Sequence, residues 1–371
     1  MKFILISPKN RTVYNFRGEL IKAIIKCGYD VIVTGPDRDN VEKIEELGAR
    51  FVEIPMNKNG VNPLDDLKYQ KALEQLFKKE KPDVTLGYTS KPVIYGSIAA
   101  KKAKVPHIVS MVTGAGYAFT SKSTKAKIIK LIMSVLYKRA FKCADKVIFQ
   151  NSDDKNEFVS AHLLREEKTN VVSGSGVDTE RFLVCTYPEK ITFFMLSRLL
   201  KSKGVNEYLE AARIVKEKYP EVQFSLLGKY EFDMQDAISK EKIEQYINDG
   251  IITRYDETND VRPYYEQCSV YVLPSYREGT PRTVLEAMSM GRPIITTDAP
   301  GCRETVIDGE TGFLVPVKDS QAVAEKMIKF IENPALISSM GQKSAEYCRS
   351  RFDVNKVNKD MLSYLQIERN D

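Results

Sequence analysis

The sequence predicts an α/β protein made of two doubly wound domains, each with a parallel β-sheet. Short apolar runs alternate with amphipathic helical patterns along the whole chain, which is typical of βαβ units. The segment Thr186–Lys190 interrupts this alternation and is predicted to be an interdomain linker, because a fresh series of strands begins after it. With 371 residues, of which 43% are hydrophobic, the chain can form two ordinary cores.

Seven apolar runs in the first half have the length and composition of buried strands. Helical patterns lie between several of them, at Gly18–Cys27, Asn40–Leu47 and Leu64–Glu80. The predicted strands are Phe3–Ile6, Asp30–Thr34, Arg50–Ile54, Asp83–Leu86, His107–Met111, Lys146–Phe149 and Asn170–Val172.

The second half repeats this organisation, so we predict one domain over residues 1–184 and another over residues 190–349. A last helical pattern, Phe352–Ile367, follows the natural end of the second domain. The predicted strands are Ile191–Leu196, Gln223–Leu227, Ile251–Arg254, Val270–Leu273, Pro293–Thr296 and Gly312–Val315. The predicted helices are Val205–Glu217, Met234–Asn248, Arg262–Gln267, Arg282–Met290 and Ser320–Glu332.

Composition argues against several classes of protein. The net charge of +6 is a mild excess, which does not indicate a nucleic-acid binder but is compatible with an anionic ligand or membrane surface. Six scattered cysteines predict free thiols in a reducing compartment. The two histidines, His107 and His162, are too few to favour a histidine metal site or a Ser-His-Asp triad. We expect no signal peptide and no transmembrane helix, and therefore a cytoplasmic protein.

The most informative segment is 274–287, which places two carboxylates, Glu278 and Glu286, eight positions apart. A buried strand precedes it, and Thr280-Pro281 suits the first turn of a helix. Glu278 is then expected on the loop after the strand and Glu286 within the helix, where open α/β sheets bind ligands. Taken singly, an acidic residue near a helix start could instead complement the helix dipole.

A second candidate segment, Leu196–Gly204, follows the first strand of the second domain. Arg198 and Lys203 lie five positions apart across the turn into the next helix. The planar guanidinium and the compact ammonium together suit a diphosphate, and the helix start adds free N–H groups. An ordinary solvated basic loop is the alternative for this segment alone. The loop Glu278–Pro281 is expected to supply further N–H donors, with Gly279 allowing close approach.

Together these segments resemble the retaining glycosyltransferases of family 4. The likeness rests on the Pro-Ser-x-x-Glu-Gly lead-in, the two glutamates and the Arg-x4-Lys spacing. The segment Gly174–Phe182 is similar to a further family segment. The resemblance implies the GT-B fold, in which two Rossmann-like domains face each other. It also implies that residues 350–371 return to pack on the first domain.

The resemblance implies a role for each matching residue. Arg198 and Lys203 neutralise the departing nucleotide diphosphate, and Glu286 accepts hydrogen bonds from the ribose hydroxyls. Glu278 contacts hydroxyls of the donor sugar near the reacting carbon. The remaining donor-site residues are Gly279, Thr280 and Pro281 on the loop, Gly228 after another strand, and Arg254 and Tyr255 near the base. Gly228, Arg254 and Tyr255 could equally be structural.

Two segments of the first domain resemble a branch of the family that builds bacterial surface polysaccharides and lipid-linked glycans. One contains Asn15 and Arg17, and the other contains Thr113, Gly114 and Gly116. The resemblance implies that these residues line the acceptor side of the reacting centre. The glycines could also form a plain turn.

Many members carry a histidine where this chain has Thr113 and Gly114, so no histidine role is carried over. In the mechanism proposed for such enzymes, the leaving phosphate accepts the acceptor's proton on the front face, with retention. The work is then electrostatic and positional. The resemblance implies no metal and no other cofactor, because Arg198 and Lys203 supply the positive charge. Asp37-Arg38-Asp39 matches a metal motif of another glycosyltransferase fold only by spacing.

The stretch Lys122–Lys142 combines seven basic residues with a broad apolar face. Such a helix could lie on an anionic membrane or be an ordinary surface helix that packs on the core. An acceptor linked to polyprenyl diphosphate would favour the membrane.

These observations predict a retaining, metal-independent glycosyltransferase. It would move a hexose or N-acetylhexosamine from a UDP-sugar to a polyprenyl-diphosphate-linked saccharide in capsule or O-antigen assembly, at the inner face of the plasma membrane. One alternative is a UDP-sugar epimerase on the same fold. Another is a non-catalytic module that binds nucleotide sugars.

Overall fold

The computed structural model describes residues 1–57, 62–114, 124–232 and 234–368, with the backbone alone for 124–127. The chain divides into two compact units, Met1–Ser175 with Val354–Asp371, and Gly176–Asp353. The segment predicted as a linker lies inside the second unit. The Tyr187 hydroxyl donates to the Gly291 carbonyl oxygen at 2.7 Å, which ties this segment to the second unit.

The first unit is built on a parallel sheet. Its described strands are β1 (Lys2–Ile6), β2 (Asp30–Gly35), β3 (Arg50–Glu53), β4 (Val84–Tyr88), β5 (His107–Val112), β6 (Lys146–Phe149) and β7 (Thr169–Val171). Their order is β3-β2-β1-β4-β5-β6-β7, and every pairing is parallel. The strand order reverses between β1 and β4, which is the point where doubly wound sheets open a ligand crevice.

Helices cover both faces of this sheet. They are α1 (Asn10–Lys26), α2 (Val41–Glu45), α3 (Pro63–Glu80), α4 (Ser97–Lys102), α5 (Thr124–Cys143) and α6 (Ser152–Ser160), with a π-helical turn at Pro92–Gly96 before α4. Phe3 and Leu5 of β1 belong to one buried cluster, and Ile4 and Ile6 to another. This alternation is the two-residue period of a strand that is buried on both faces.

The end of the chain completes the first unit, as predicted. Helix α13 (Val354–Tyr364), numbered after the helices of the second unit, packs beside α1. Val357, Met361 and Leu365 join the same buried cluster as Phe3 and Leu5.

The second unit repeats the architecture. Its strands are β8 (Thr192–Leu196), β9 (Gln223–Leu227), β10 (Thr253–Tyr255), β11 (Val270–Leu273), β12 (Ile294–Thr297) and β13 (Gly312–Val315). Its helices are α7 (Val205–Lys218), α8 (Lys240–Asn248), α9 (Arg262–Glu266), α10 (Arg282–Ser289), α11 (Ser320–Glu332) and α12 (Ala335–Arg351). The strand order is β10-β9-β8-β11-β12-β13, again all parallel.

The predicted fold class is confirmed, and each predicted strand coincides with an observed one to within a few residues. The predictions for the helices were less complete. Helix α8 begins at Lys240 rather than Met234, and α4, α6 and α12 were not predicted. Pro281 is extended, with ψ at 107°, and α10 begins after it, so this proline precedes the first turn.

Candidate active site

The two loops that carry the predicted diphosphate clamp and the predicted sugar-binding glutamate lie side by side. They follow β8 and β11, the neighbouring strands between which the order of the second sheet reverses. The Tyr276 N–H donates to the Ser202 carbonyl oxygen at 2.9 Å, and the Ser275 hydroxyl oxygen lies 3.2 Å from the same carbonyl oxygen. Each loop therefore holds the other at the carboxyl edge of the sheet.

An ion pair joins these two loops. The ammonium group of Lys203 lies 2.5 Å from Oε1 of Glu278, and the Ser275 hydroxyl donates to that oxygen at 2.8 Å. The two side chains are only 20% and 14% exposed, so water screens their attraction less than it screens a surface pair. The structure thus brings together two residues that were predicted to bind the donor.

Arg198 has a different environment. Its side chain is exposed, and no described carboxylate lies within ion-pair distance of its guanidinium group. Gly204 ends the turn that follows, with φ at 76°, and a Cβ there would clash with the carbonyl oxygen of Pro274. Glycine is therefore required where α7 begins beside the β11 loop.

A backbone hydrogen bond fixes the loop that carries Glu278 to the segment after β12. The Glu278 N–H donates to the Pro300 carbonyl oxygen at 3.0 Å, and Pro281 has no N–H to donate. Of the four residues expected to supply N–H donors to a ligand, Glu278 therefore already uses its N–H, and Pro281 has none. The Thr280 hydroxyl donates to the Gly279 carbonyl oxygen at 3.0 Å.

Glu286 lies on α10, largely buried. Its Oε1 accepts from Nε of Arg282 at 3.1 Å, and its Oε2 accepts from the Tyr265 hydroxyl at 3.2 Å. Burial raises the pKa of Glu286 above that of an ordinary glutamate, although Arg282, Tyr265 and the more distant charge of Arg181 oppose that shift. The carboxylate is thus held in one orientation by two donors.

The remaining predicted donor-site residues cluster at the ends of β9 and β10. Nη2 of Arg254 donates to the Gly228 carbonyl oxygen at 3.0 Å, and the guanidinium lies 4.3 Å from the centre of the Tyr230 ring. The Gly228 N–H donates to the Tyr255 carbonyl oxygen at 3.2 Å. A Cβ on Gly228 would clash with the Ser197 carbonyl oxygen, so this glycine lets β9 end close to the Arg198 loop.

The predicted acceptor residues belong to the first unit. Asn15 is exposed on α1, whereas Arg17 is buried with its guanidinium 5.4 Å from the centre of the Tyr88 ring. Thr113 and Gly114 directly follow β5, and both are half-buried. Gly116 lies outside the described residues.

The predicted basic helix is α5, whose described part has two apolar faces. Tyr137, Ala140 and Phe141 are buried in the core. A second face, which we call the apolar stripe, is exposed: Ile128 (57%), Leu131 (68%), Ile132 (55%) and Val135 (63%). Lys130 pairs with Glu157 at 3.0 Å. Lys122 and the side chains of Lys125 and Lys127 lie outside the described residues.

Both halves of the chain match known families. Residues 178–347 match the family described as glycosyl transferases group 1, and residues 3–151 match glycosyl transferase 4-like. The chain is therefore a glycosyltransferase.

Similar proteins extend over nearly the whole glycosyltransferase. The N,N'-diacetylbacillosaminyl-diphospho-undecaprenol alpha-1,3-N-acetylgalactosaminyltransferase of Campylobacter jejuni is 27% identical over 360 residues, covering 93% of both chains. The UDP-Gal:alpha-D-GlcNAc-diphosphoundecaprenol alpha-1,3-galactosyltransferase of Escherichia coli is 29% identical over 317 residues, covering 82% of this chain and 79% of its own.

Solved structures confirm the fold of this glycosyltransferase. The Anabaena protein HepE in complex with UDP and glucose aligns with a TM-score of 0.80 at 20% identity, covering 99% of each chain. Sucrose-phosphate synthase from Thermosynechococcus elongatus aligns with a TM-score of 0.81 at 18% identity, covering 99% of this chain and 98% of its own.

Two further findings concern the described residues alone. No group of three or more histidine, cysteine, aspartate or glutamate side chains in them is arranged to hold a metal ion. None of their helices has both the length and the hydropathy needed to cross a bilayer.

Two groups of residues at the carboxyl edges of the sheets were not singled out from the sequence. The Tyr276 hydroxyl donates to Oε1 of the buried Glu207 at 2.7 Å, which fixes the β11 loop to the first turn of α7. Tyr276 stands inside the 274–287 segment, so its position could have drawn attention to it. The second group is the turn after β4, at Thr89–Lys91, which no sequence pattern marks.

Proposed function

We propose that the chain transfers a hexose or an N-acetylhexosamine from a UDP-sugar to a polyprenyl-diphosphate-linked saccharide, with retention and without a metal ion. The Lys203–Glu278 pair carries this proposal, together with the exposed Arg198 on the same loop as Lys203. It puts two cations and a carboxylate at the point where the strand order of the second sheet reverses. That unit also contains the match to glycosyl transferases group 1.

The donor assignment rests on the chemistry of the side chains. Two cations, one planar and one compact, suit a diphosphate that gains charge as the sugar leaves. A carboxylate fixed by two donors, as Glu286 is, can accept the two neighbouring hydroxyls of a ribose. The sugar would then lie beside Glu278, whose oxygens can accept from its hydroxyls. The structures of HepE with UDP and glucose support this choice by similarity of fold alone.

Retention and metal independence follow from the same groups. Arg198 and Lys203 supply positive charge that a metal would otherwise bring to the diphosphate. The leaving phosphate oxygen can take the proton of the attacking hydroxyl on the face from which it departs. Glu278 then acts on hydroxyls of the sugar, and no residue is assigned as a nucleophile.

The acceptor assignment rests on the relatives. The Campylobacter jejuni and Escherichia coli proteins are named for acceptors carried on diphospho-undecaprenol. An acceptor of that kind lies in a membrane, and the apolar stripe of α5 is a surface that could reach it. We therefore place the protein at the inner face of the plasma membrane, in the assembly of a surface polysaccharide.

The decisive experiment incubates the purified chain with a panel of UDP-hexoses and UDP-N-acetylhexosamines and with polyprenyl-diphosphate-linked saccharides. The expected result is a lipid-linked product extended by one sugar. NMR should show that the new linkage keeps the anomeric configuration of the donor, and EDTA should not reduce the amount of product formed. An Arg198→Ala chain should lose most of this activity, which excludes a contaminant.

Each rival function predicts a different result. Release of an epimerised donor without transfer would favour the epimerase, and tight UDP-sugar binding with no reaction would favour a binding module. A product of inverted configuration, or activity that EDTA removes and Mg²⁺ restores, would contradict the proposed mechanism.

A further inference from the structure

A residue with a strained backbone, Thr89, directly follows strand β4. Thr89 has φ at 67°, and it is the only β-branched residue among the described non-glycine residues with positive φ. A branched side chain is disfavoured there by steric contact with the backbone. The Thr89 N–H donates to the Met111 carbonyl oxygen at 3.2 Å, and its own carbonyl accepts from the Val93 N–H at 3.0 Å. Hydrogen bonds on both sides therefore hold the strained conformation.

Thr89 occupies the position at which doubly wound sheets generally bind ligands. Strand β4 pairs with β1 where the strand order of the first sheet reverses, and Thr89 follows its carboxyl end. Thr113 and Gly114 follow the neighbouring strand β5 at the same edge. Strained backbone conformations persist only where the rest of the fold maintains them, and they are concentrated at functional sites. The position of Thr89 at the reversal of the strand order is an independent reason to expect a function for it.

The segment after Thr89 is also unusual. It enters the π-helical turn Pro92–Gly96, a rare conformation that occurs often at functional sites. A Cβ on Gly87 would lie 2.7 Å from the Pro92 carbonyl oxygen, so the end of β4 and this turn pack backbone against backbone. The strained turn is thus a rigid feature of the sheet edge.

The turn Thr89–Lys91 has no unbalanced charge. The Lys91 ammonium lies 2.6 Å from Oδ1 of the buried Asp66, and the Tyr95 hydroxyl donates to the other oxygen at 2.8 Å. The Ser90 hydroxyl accepts from Tyr137 at 3.0 Å. Thr89 is half-exposed, and its hydroxyl has no hydrogen-bond partner among the described residues. The turn Thr89–Lys91 itself suits the hydroxyls of a sugar better than a phosphate, because Lys91, its one cation, is already neutralised by Asp66.

We propose that Thr89 is a specificity-determining residue that contacts the terminal sugar of the acceptor, held in place by its strained backbone. This inference rests on the proposed function, because it assigns part of that reaction's acceptor site to the turn after β4. The nearby Thr113 and Gly114 would then border the same sugar.

The test compares Thr89→Gly with Thr89→Ser and with Lys104→Gly. Glycine at position 89 relieves the strain, so the variant should be at least as heat-stable as the parent. Its KM for the acceptor should nevertheless rise about tenfold, the effect of losing one well-made contact, with the KM for the donor unchanged. Thr89→Ser keeps the hydroxyl and should stay close to the parent. Lys104 has φ at 60° near the opposite edge of the sheet, so Lys104→Gly relieves similar strain and should leave both constants unchanged.

Acceptor binding is also measured directly, by saturation-transfer NMR with a water-soluble diphospho-saccharide. If the parent transfers sugar but Thr89→Gly has an unchanged acceptor KM and unchanged binding, the inference fails and the proposed function stands. If the parent binds the saccharide through Thr89 but transfers nothing, the proposed function fails and the inference stands. If the parent does not bind the saccharide, both fail.

Discussion

The ammonium nitrogen of Lys203 lies 2.5 Å from Oε1 of Glu278, across 75 residues of sequence. One residue was expected to hold the diphosphate and the other the sugar, yet the two side chains form an ion pair with each other. A donor diphosphate must therefore share Lys203 with a carboxylate or displace it. The charge of Glu278 then opposes nucleotide binding even if its oxygens assist the reaction.

This relationship predicts opposite effects of one substitution on binding and on transfer. Glu278→Gln keeps the shape of the side chain but removes the charge that competes for Lys203. The affinity for UDP should rise about fivefold, the size of a partly screened ion pair, while sugar transfer falls strongly. Calorimetry with UDP and a transfer assay measure the two effects.

A control for this prediction removes the same charge elsewhere in the second unit. Glu332→Gln breaks the exposed pair with Lys218, 3.1 Å apart, and should change neither quantity. A weaker UDP affinity in Glu278→Gln would show that Glu278 assists nucleotide binding, contrary to the competition inferred from the ion pair.

The raised pKa of Glu286 predicts a pH dependence of nucleoside binding. A raised pKa means that protonation begins at a higher pH than for an ordinary glutamate, and a protonated carboxyl accepts fewer hydrogen bonds from a ribose. Affinity for uridine should therefore fall as the pH is lowered from neutral into the mildly acidic range. Uridine is the appropriate probe because it has no phosphate that titrates there.

Glu286→Gln is the control for the pH effect. It keeps an acceptor oxygen but cannot ionise, so its uridine affinity should be lower than that of the parent at neutral pH and flat across the same range. An equal fall in affinity in both proteins would assign the titration to another group.

The strands could be predicted from sequence because parallel strands buried on both faces are nearly continuous apolar runs. Helix α12 was missed for a physical reason. Gly341 in its middle lowers helix propensity, yet a Cβ there would clash with the Gly291 carbonyl oxygen, so tertiary packing overrides local preference.

The site was predictable only where a motif carries it. Glu278, Glu286, Arg198 and Lys203 were proposed as site residues from their spacing, but spacing does not reveal that Lys203 pairs with Glu278, because that contact depends on the order of two strands. Thr89 left no signal at all, since threonine is a common residue and its left-handed backbone is imposed by neighbouring strands.

Gly301 supports the loop that carries Glu278, and its substitution should disturb the site. It has φ at 75°, and a Cβ there would clash with the carbonyl oxygens of Glu278 and Gly279. Gly309 has φ at 77°, and apart from its two chain neighbours no described residue has an atom within 4 Å of the position that a Cβ would take, so it shares the backbone strain without the clash. Each alanine variant should lose about 1 kcal/mol of stability from strain.

Only Gly301→Ala should also displace Glu278. We expect its transfer rate to fall at least about tenfold, because small misplacements of reacting groups slow a reaction by such factors. Gly309→Ala should keep the rate of the parent. Denaturation curves and transfer assays on both variants measure the two effects. Equal activities would show that the loop tolerates the displacement.

The apolar stripe of α5 predicts that the protein binds anionic membranes through this helix. Changing Leu131 and Val135 to serine should reduce binding to phosphatidylglycerol vesicles by about tenfold, because apolar side chains that enter the interface are lost. Leu64 (68% exposed) and Leu67 (58%) on α3 match them in exposure, so the same change there is the control. Binding that relies on the stripe should persist partly in high salt, whereas binding by basic residues alone would be screened away. Undiminished sedimentation of the stripe variant with vesicles would refute this role for α5.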